Sequence, residues 1–80
     1  MNTIIKFYSP TCGPCKVLDK NLKIANIEYI SINVTDPSFE ELIEKYQIHS
    51  VPTLVKLNGD KLVDKFVGIM TVDNLKEWVK

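Results

Sequence analysis

Apolar and polar positions change period several times along this chain, and each change marks an element. The first apolar run, residues 3–8, is rich in isoleucine and aromatics and stops at the breaker Ser9-Pro10, which predicts a buried strand. Beyond Pro14 the period becomes helical, with Val17, Leu18, Leu22 and Ala25 on one face and Lys16, Asp19, Lys20 and Lys23 on the other. Residues 28–34 alternate Ile30, Ile32 and Val34 with Tyr29, Ser31 and Asn33, the pattern of a strand with unlike faces. Asp36 then stands as an N-cap ahead of Pro37, and Phe39, Leu42, Ile43 and Tyr46 follow at helical spacing. Residues 53–57 and 61–67 flank Asn58-Gly59-Asp60, and Asn-Gly supplies the positive backbone angles of a tight hairpin turn. Thr71 caps a last helix with Val72, Leu75 and Val79 on one side and Trp78 beside them.

The predicted order is βαβαββα. A strand-helix-strand unit this short implies a right-handed parallel pair, and the hairpin adds two antiparallel strands to the same sheet. The fold class is therefore α/β, a mixed four-stranded sheet flanked by three helices. At 80 residues the chain supports one core, so residues 1–80 are read as a single domain, without repeats or a linker.

Composition narrows the function. Apolar residues at 45% and charged residues at 25% are those of a soluble globular protein. The net charge is zero and every basic residue is a lysine, dispersed along the chain, which argues against nucleic acid as a partner. Without arginine there is no planar fork for anionic cofactors, so no bound cofactor is expected. No apolar run reaches the roughly 18 residues of a membrane span, and the start lacks a signal-peptide pattern, so a cytoplasmic location is expected. In that reducing compartment closely spaced cysteines are more often catalytic or metal-binding than structural. Zinc usually takes four ligands, and beyond Cys12 and Cys15 only His49 remains among the typical ones, so no metal is expected.

Cys12-Gly13-Pro14-Cys15 stands where the first strand hands over to the first helix. Unpaired amides and the helix dipole there favour a Cys12 thiolate, lowering its pKa from the free value of roughly 8.5. Gly13 permits close approach of another chain, Pro14 presets the first turn, and one helical turn brings Cys15 within bonding range of Cys12.

This motif at this junction resembles the thioredoxin family, whose active site is the same tetrapeptide between strand and helix. Val51-Pro52-Thr53 is similar to the family's cis-proline loop, and Asn58-Gly59-Asp60, Gly68 and Leu75-Lys76-Glu77-Trp78-Val79 continue the pattern. By the same resemblance, a shorter core without the extra N-terminal strand and helix of full-length thioredoxins is expected. The resemblance implies a protein-disulfide reductase in which Cys12 attacks and Cys15 resolves. Val51, Pro52 and Gly68 would form the substrate groove, with Tyr8 and Thr11 as further candidates. It also implies disulfide-containing protein substrates, a monomer, and electrons from NADPH through thioredoxin reductase or a similar enzyme.

Two positions depart from the family. Thr11 replaces the tryptophan usual before the first cysteine, and Lys6 stands where thioredoxins bury an aspartate. A lysine there could support a Cys15 thiolate or snorkel to solvent, and snorkelling is the expectation, as is a solvated Lys16. His49 is read as a loop residue, and Phe39, Tyr46, Phe66 and Trp78 as packing. The rival functions are a glutaredoxin-like glutathione-dependent reductase, whose Gly-Gly pair is absent from residues 67–71, and a non-catalytic binding module.

Overall fold

A strand that is apolar on both faces needs cover on both, and the topology supplies it. The computed structural model describes residues 2–80 and places β1 (Asn2–Tyr8) inside a sheet, with four consecutive residues, Ile4 to Phe7, buried. It is followed by α1 (Gly13–Ile24), β2 (Ile30–Asn33), a 3₁₀ turn (Pro37–Phe39), α2 (Glu40–Lys45), β3 (Thr53–Asn58), β4 (Lys61–Val67) and α3 (Val72–Trp78). The described residues form a four-stranded sheet in the order β2-β1-β3-β4. β1 runs parallel to β2, with Phe7 opposite Ile32, and antiparallel to β3, with Phe7 opposite Thr53. β3 and β4 form the expected antiparallel hairpin, with Asn58 opposite Lys61 and a register shift between Lys56 and Leu57. Gly59 takes a φ of 63° in its turn, a value L side chains rarely adopt.

The two sheet faces build two cores. Ile5, Phe7, Ile32, Val55 and Leu57 pack with Tyr46 and Ile48, covered by Phe39, Leu42 and Ile43. On the opposite face Ile4 and Leu54 pack with Leu18 and Leu22 of α1, with Met70 from the segment before α3, and with Leu75 of α3. Because successive strand side chains alternate, Lys6 necessarily shares this second face with Ile4.

Helix ends are closed by side chains and by left-handed residues. Asp36 accepts from the Ser38 amide at 2.9 Å, and Thr71 Oγ1 accepts from the Asn74 amide at 3.2 Å. Asn26 and Gln47 have φ of 58° and 53°, each just past a helix. Their amides donate to Lys23 and Glu44, while the Ile27 and Ile48 amides reach back to Leu22 and Ile43, two Schellman endings with an apolar contact in each.

Several sequence expectations shift. The second helix begins as a 3₁₀ turn, with Asp36 capping that turn, and α2 proper starts at Glu40. Val17 is exposed, because α1 turns only Cys15, Leu18 and Leu22 fully inward. Ile30 is also exposed, since β2 is an edge strand that buries only Ile32. Asp19 does not lie on the solvated face of α1, for the reason given below.

Candidate active site

The strand directions bring the candidate residues to one end of the sheet. β1 and β4 finish there and β3 begins there, so the segment 9–12, the loop 51–52 and Gly68 are neighbours. Cys12 is the N-cap of α1, and its Sγ accepts from the Cys15 amide at 3.1 Å. It lies where unpaired helix amides gather, and no acidic residue sits in the first turn to oppose a thiolate. Pro14 occupies the first turn, where its missing N–H costs nothing.

Cys12 and Cys15 are joined as a disulfide across a Cα–Cα distance of 5.3 Å. The two cysteines differ in access: Cys12 is half-buried, whereas Cys15 is 3% exposed. Thr11, Gly13 and Pro14 are exposed around them.

On the neighbouring loop the Val51–Pro52 peptide is cis. The Pro52 carbonyl accepts from the Gly68 amide at 2.9 Å, tying the loop to the end of β4. Among the described residues the Val51 backbone has no hydrogen-bond partner, so its edge is free. Gly68 has a φ of 109°, which disfavours any side chain, and the space a Cβ would fill is open.

Behind Cys15 lies a feature the sequence reading placed wrongly. Lys6 does not snorkel: its Nζ donates to Asp19 Oδ1 at 2.9 Å, with the rings of Tyr8 and Tyr29 centred 5.1 and 5.2 Å away. The Tyr29 hydroxyl donates to the same carboxylate oxygen, and Lys23 reaches Oδ2 at 3.1 Å. Asp19 on α1 sits over the strand face that carries Lys6, so a half-buried carboxylate is nearer to the ammonium than bulk water is. The Tyr29 hydroxyl, then the Lys6 ammonium, hold the Asp19 carboxyl well below the usual carboxylate range. Burial, then Asp19, pushes the Tyr29 phenol up to about 12.

A cleft of about 240 Å³ opens beside this cluster, lined by Lys6, Tyr8, Pro10, Cys15, Lys16 and Asp19. It brings Tyr8 to Cys15, and it places the exposed Lys16 at its rim. His49 is exposed in the loop before Val51.

The thioredoxin sequence profile matches residues 1–80. The chain belongs to the thioredoxin family. It is 29% identical to thioredoxin of Mycoplasmoides gallisepticum, over 96% of this chain and 80% of that one. It is 30% identical to mitochondrial thioredoxin of Mus musculus, over 96% of this chain, and spans 49% of that relative's length. Among solved structures it resembles a thioredoxin variant from Halobacterium salinarum NRC-1, with a TM-score of 0.84 at 27% identity, covering 98% of this chain and 71% of that one. The oxidised thioredoxin of Plasmodium falciparum gives 0.79 at 26% identity, covering 98% and 77%.

Within this thioredoxin-family chain, the Lys6–Asp19–Tyr29 cluster is the part that sequence reasoning missed. The available signal was a lysine inside an otherwise apolar strand. Nothing local named its partner, because Asp19 lies 13 residues away on another element.

Proposed function

We propose that this protein is a thiol-disulfide oxidoreductase that reduces disulfide bonds of protein substrates. The observation that carries the reading is the unequal access of a closed cysteine pair at a helix N-terminus, Cys12 half-buried and Cys15 beneath it. In the reduced protein the Cys12 thiolate attacks one sulfur of a substrate disulfide, and the other substrate sulfur leaves as a thiolate. Cys15, deprotonated, then attacks Cys12 Sγ, closes the intramolecular bond and expels the second substrate thiolate. Two electrons pass to the substrate, and protons shed by the cysteines are replaced on its thiols from water.

The free Val51 edge and the open space at Gly68 suit an extended substrate segment added to the loop like a strand. Pro52 shapes that groove, and Tyr8 and Thr11 flank it. In this reading the protein acts as a cytoplasmic monomer with no resident cofactor. Thioredoxin reductase or a similar enzyme returns electrons to it from NADPH.

Insulin reduction coupled to NADPH and thioredoxin reductase, beside a Cys12→Ser control, tests the reading. Turnover that disappears in the control is expected. Turnover only with glutathione would reassign the reductant, and cysteines that never cycle would leave a binding module.

A further inference from the structure

The mechanism leaves a chemical problem at Cys15. As the resolving group it must ionise, yet at 3% exposure burial disfavours its thiolate. A nearby positive charge offsets that cost, and the helix N-terminus already serves Cys12.

We infer that Lys6 stabilises the Cys15 thiolate during resolution, as a buried cation positioned for that purpose by Asp19. The inference rests on the oxidoreductase reading. Its geometric basis is the cleft that Lys6, Asp19 and Cys15 line together. The Lys6 side chain is 7% exposed and is fixed by one carboxylate and two tyrosine rings, so its charge has a defined place.

The charges around it favour a positive cleft. From β1 come Lys6 and Tyr8; from α1 come Lys16, Asp19 and Lys23; Tyr29 reaches in from the segment before β2. Asp19 is shared by Lys6, Lys23 and the Tyr29 hydroxyl, so two cations face one carboxylate, with Lys16 at the rim. The remaining buried lysine of this face, Lys56 on β3, is turned away, donating to the Trp78 carbonyl over the Trp78 ring. The Tyr29 hydroxyl is held on Asp19, so it does not compete as a proton donor to Cys15.

In the resolving step the Cys15 S–H proton passes to solvent through the cleft, and the thiolate is held beside the ammonium. The bond from Cys15 Sγ to Cys12 Sγ forms as the bond from Cys12 to the substrate sulfur breaks, and the electron pair leaves on that sulfur. Lys6 keeps its proton throughout.

The experiment reacts the reduced protein with an aryl disulfide that releases a coloured thiolate, and follows two phases against pH. The first phase is Cys12 attack and the second is resolution by Cys15. In parallel, cysteine ¹³Cβ shifts give the Cys15 titration. Lys6→Met keeps length and apolar stem while removing the charge. It should raise the Cys15 pKa by about one pH unit, leaving the first phase unchanged. A tenfold loss of thiolate, partly offset by its higher nucleophilicity, slows the second phase about threefold at neutral pH.

Asp19→Asn should do the opposite, lowering the Cys15 pKa because a carboxylate is removed while the ammonium stays. A purely structural role would move both variants the same way, so shifts of equal sign, or an unchanged Lys6→Met titration, would overturn the inference alone. If Lys6→Met fails to fold, a Cys15 pKa that does not fall in Asp19→Asn overturns it. Absence of the first phase in wild-type protein would remove the oxidoreductase reading as well.

Discussion

Asp19 holds two lysines whose exposures differ tenfold, and that contrast predicts an unequal response to mutation. The Lys6 side chain is 7% exposed and the Lys23 side chain 71%, with Asp19 at 30%. Asp19→Ala strands the Lys6 ammonium in the core with only two aromatic rings for company. Breaking a fully buried pair costs about 3–5 kcal/mol, and water access to Asp19 reduces that to about 2 kcal/mol. Lys6→Met leaves Asp19 with the Tyr29 hydroxyl and Lys23 and replaces a buried charge by an apolar chain, so about 1 kcal/mol or less is expected. Lys23→Ala removes an exposed i, i+4 pair and should cost less than about 0.5 kcal/mol. The double variant Lys6→Met/Asp19→Ala should recover much of the loss, since no buried charge remains. Urea unfolding of the oxidised protein measures all four. The pH dependence gives a second check. The folded-state pKa of Asp19 is depressed, so its contribution is complete above the unfolded value of about 4 and is lost as pH falls below it. The gap between wild type and Asp19→Ala should therefore narrow progressively as pH falls below about 5, and part of it should persist at about pH 2 because the folded-state carboxyl is held far below its ordinary range. An Asp19→Ala variant as stable as wild type at neutral pH would refute the reasoning, because it would mean that Lys6 reaches water without its partner.

Three further outcomes are expected. Cys15→Ser, reduced and mixed with a substrate disulfide, should accumulate a mixed disulfide on Cys12 that mass spectrometry detects and that wild type does not retain. Leu54→Ala, at a fully buried side chain in the core cluster that also holds Leu18 and Leu75, should cost about 3 kcal/mol by urea unfolding, with the midpoint rather than the slope carrying the change. Tyr29 should titrate near 12 in the folded protein by ultraviolet absorbance; with its folded pKa raised, its share of stability is complete below about 10 and disappears as pH rises through 10 to 12.

Much of this molecule was legible without coordinates because its patterns are local. The strand-helix junction at Cys12, the Asp36 and Thr71 caps and the Asn58-Gly59 turn each depend on a few adjacent residues, and the structure keeps all of them. Errors arose where a position's environment is set by distant chain. Val17 and Ile30 carry core-type side chains, yet α1 is covered on a narrow face and β2 has a neighbour on one side only, which leaves both exposed. The left-handed residue Asn26 closes α1 at a place its own identity could have suggested, whereas Gln47 does the same for α2 with no such signal.

The sequence by itself determined the alternation of elements, the parallel first pair with its hairpin, and the cysteine motif at a helix start. Those follow from periodicity, cap chemistry and spacing, which act over a few residues. Tertiary structure alone decided the strand order, the gathering of Cys12, Val51, Pro52 and Gly68 at one sheet end, and the fate of Lys6. A lysine in an apolar strand has two stable outcomes, an ammonium in water or an ammonium on a carboxylate. Which one holds depends on whether the helix packed across that strand presents an acid at the right turn, and here α1 presents Asp19.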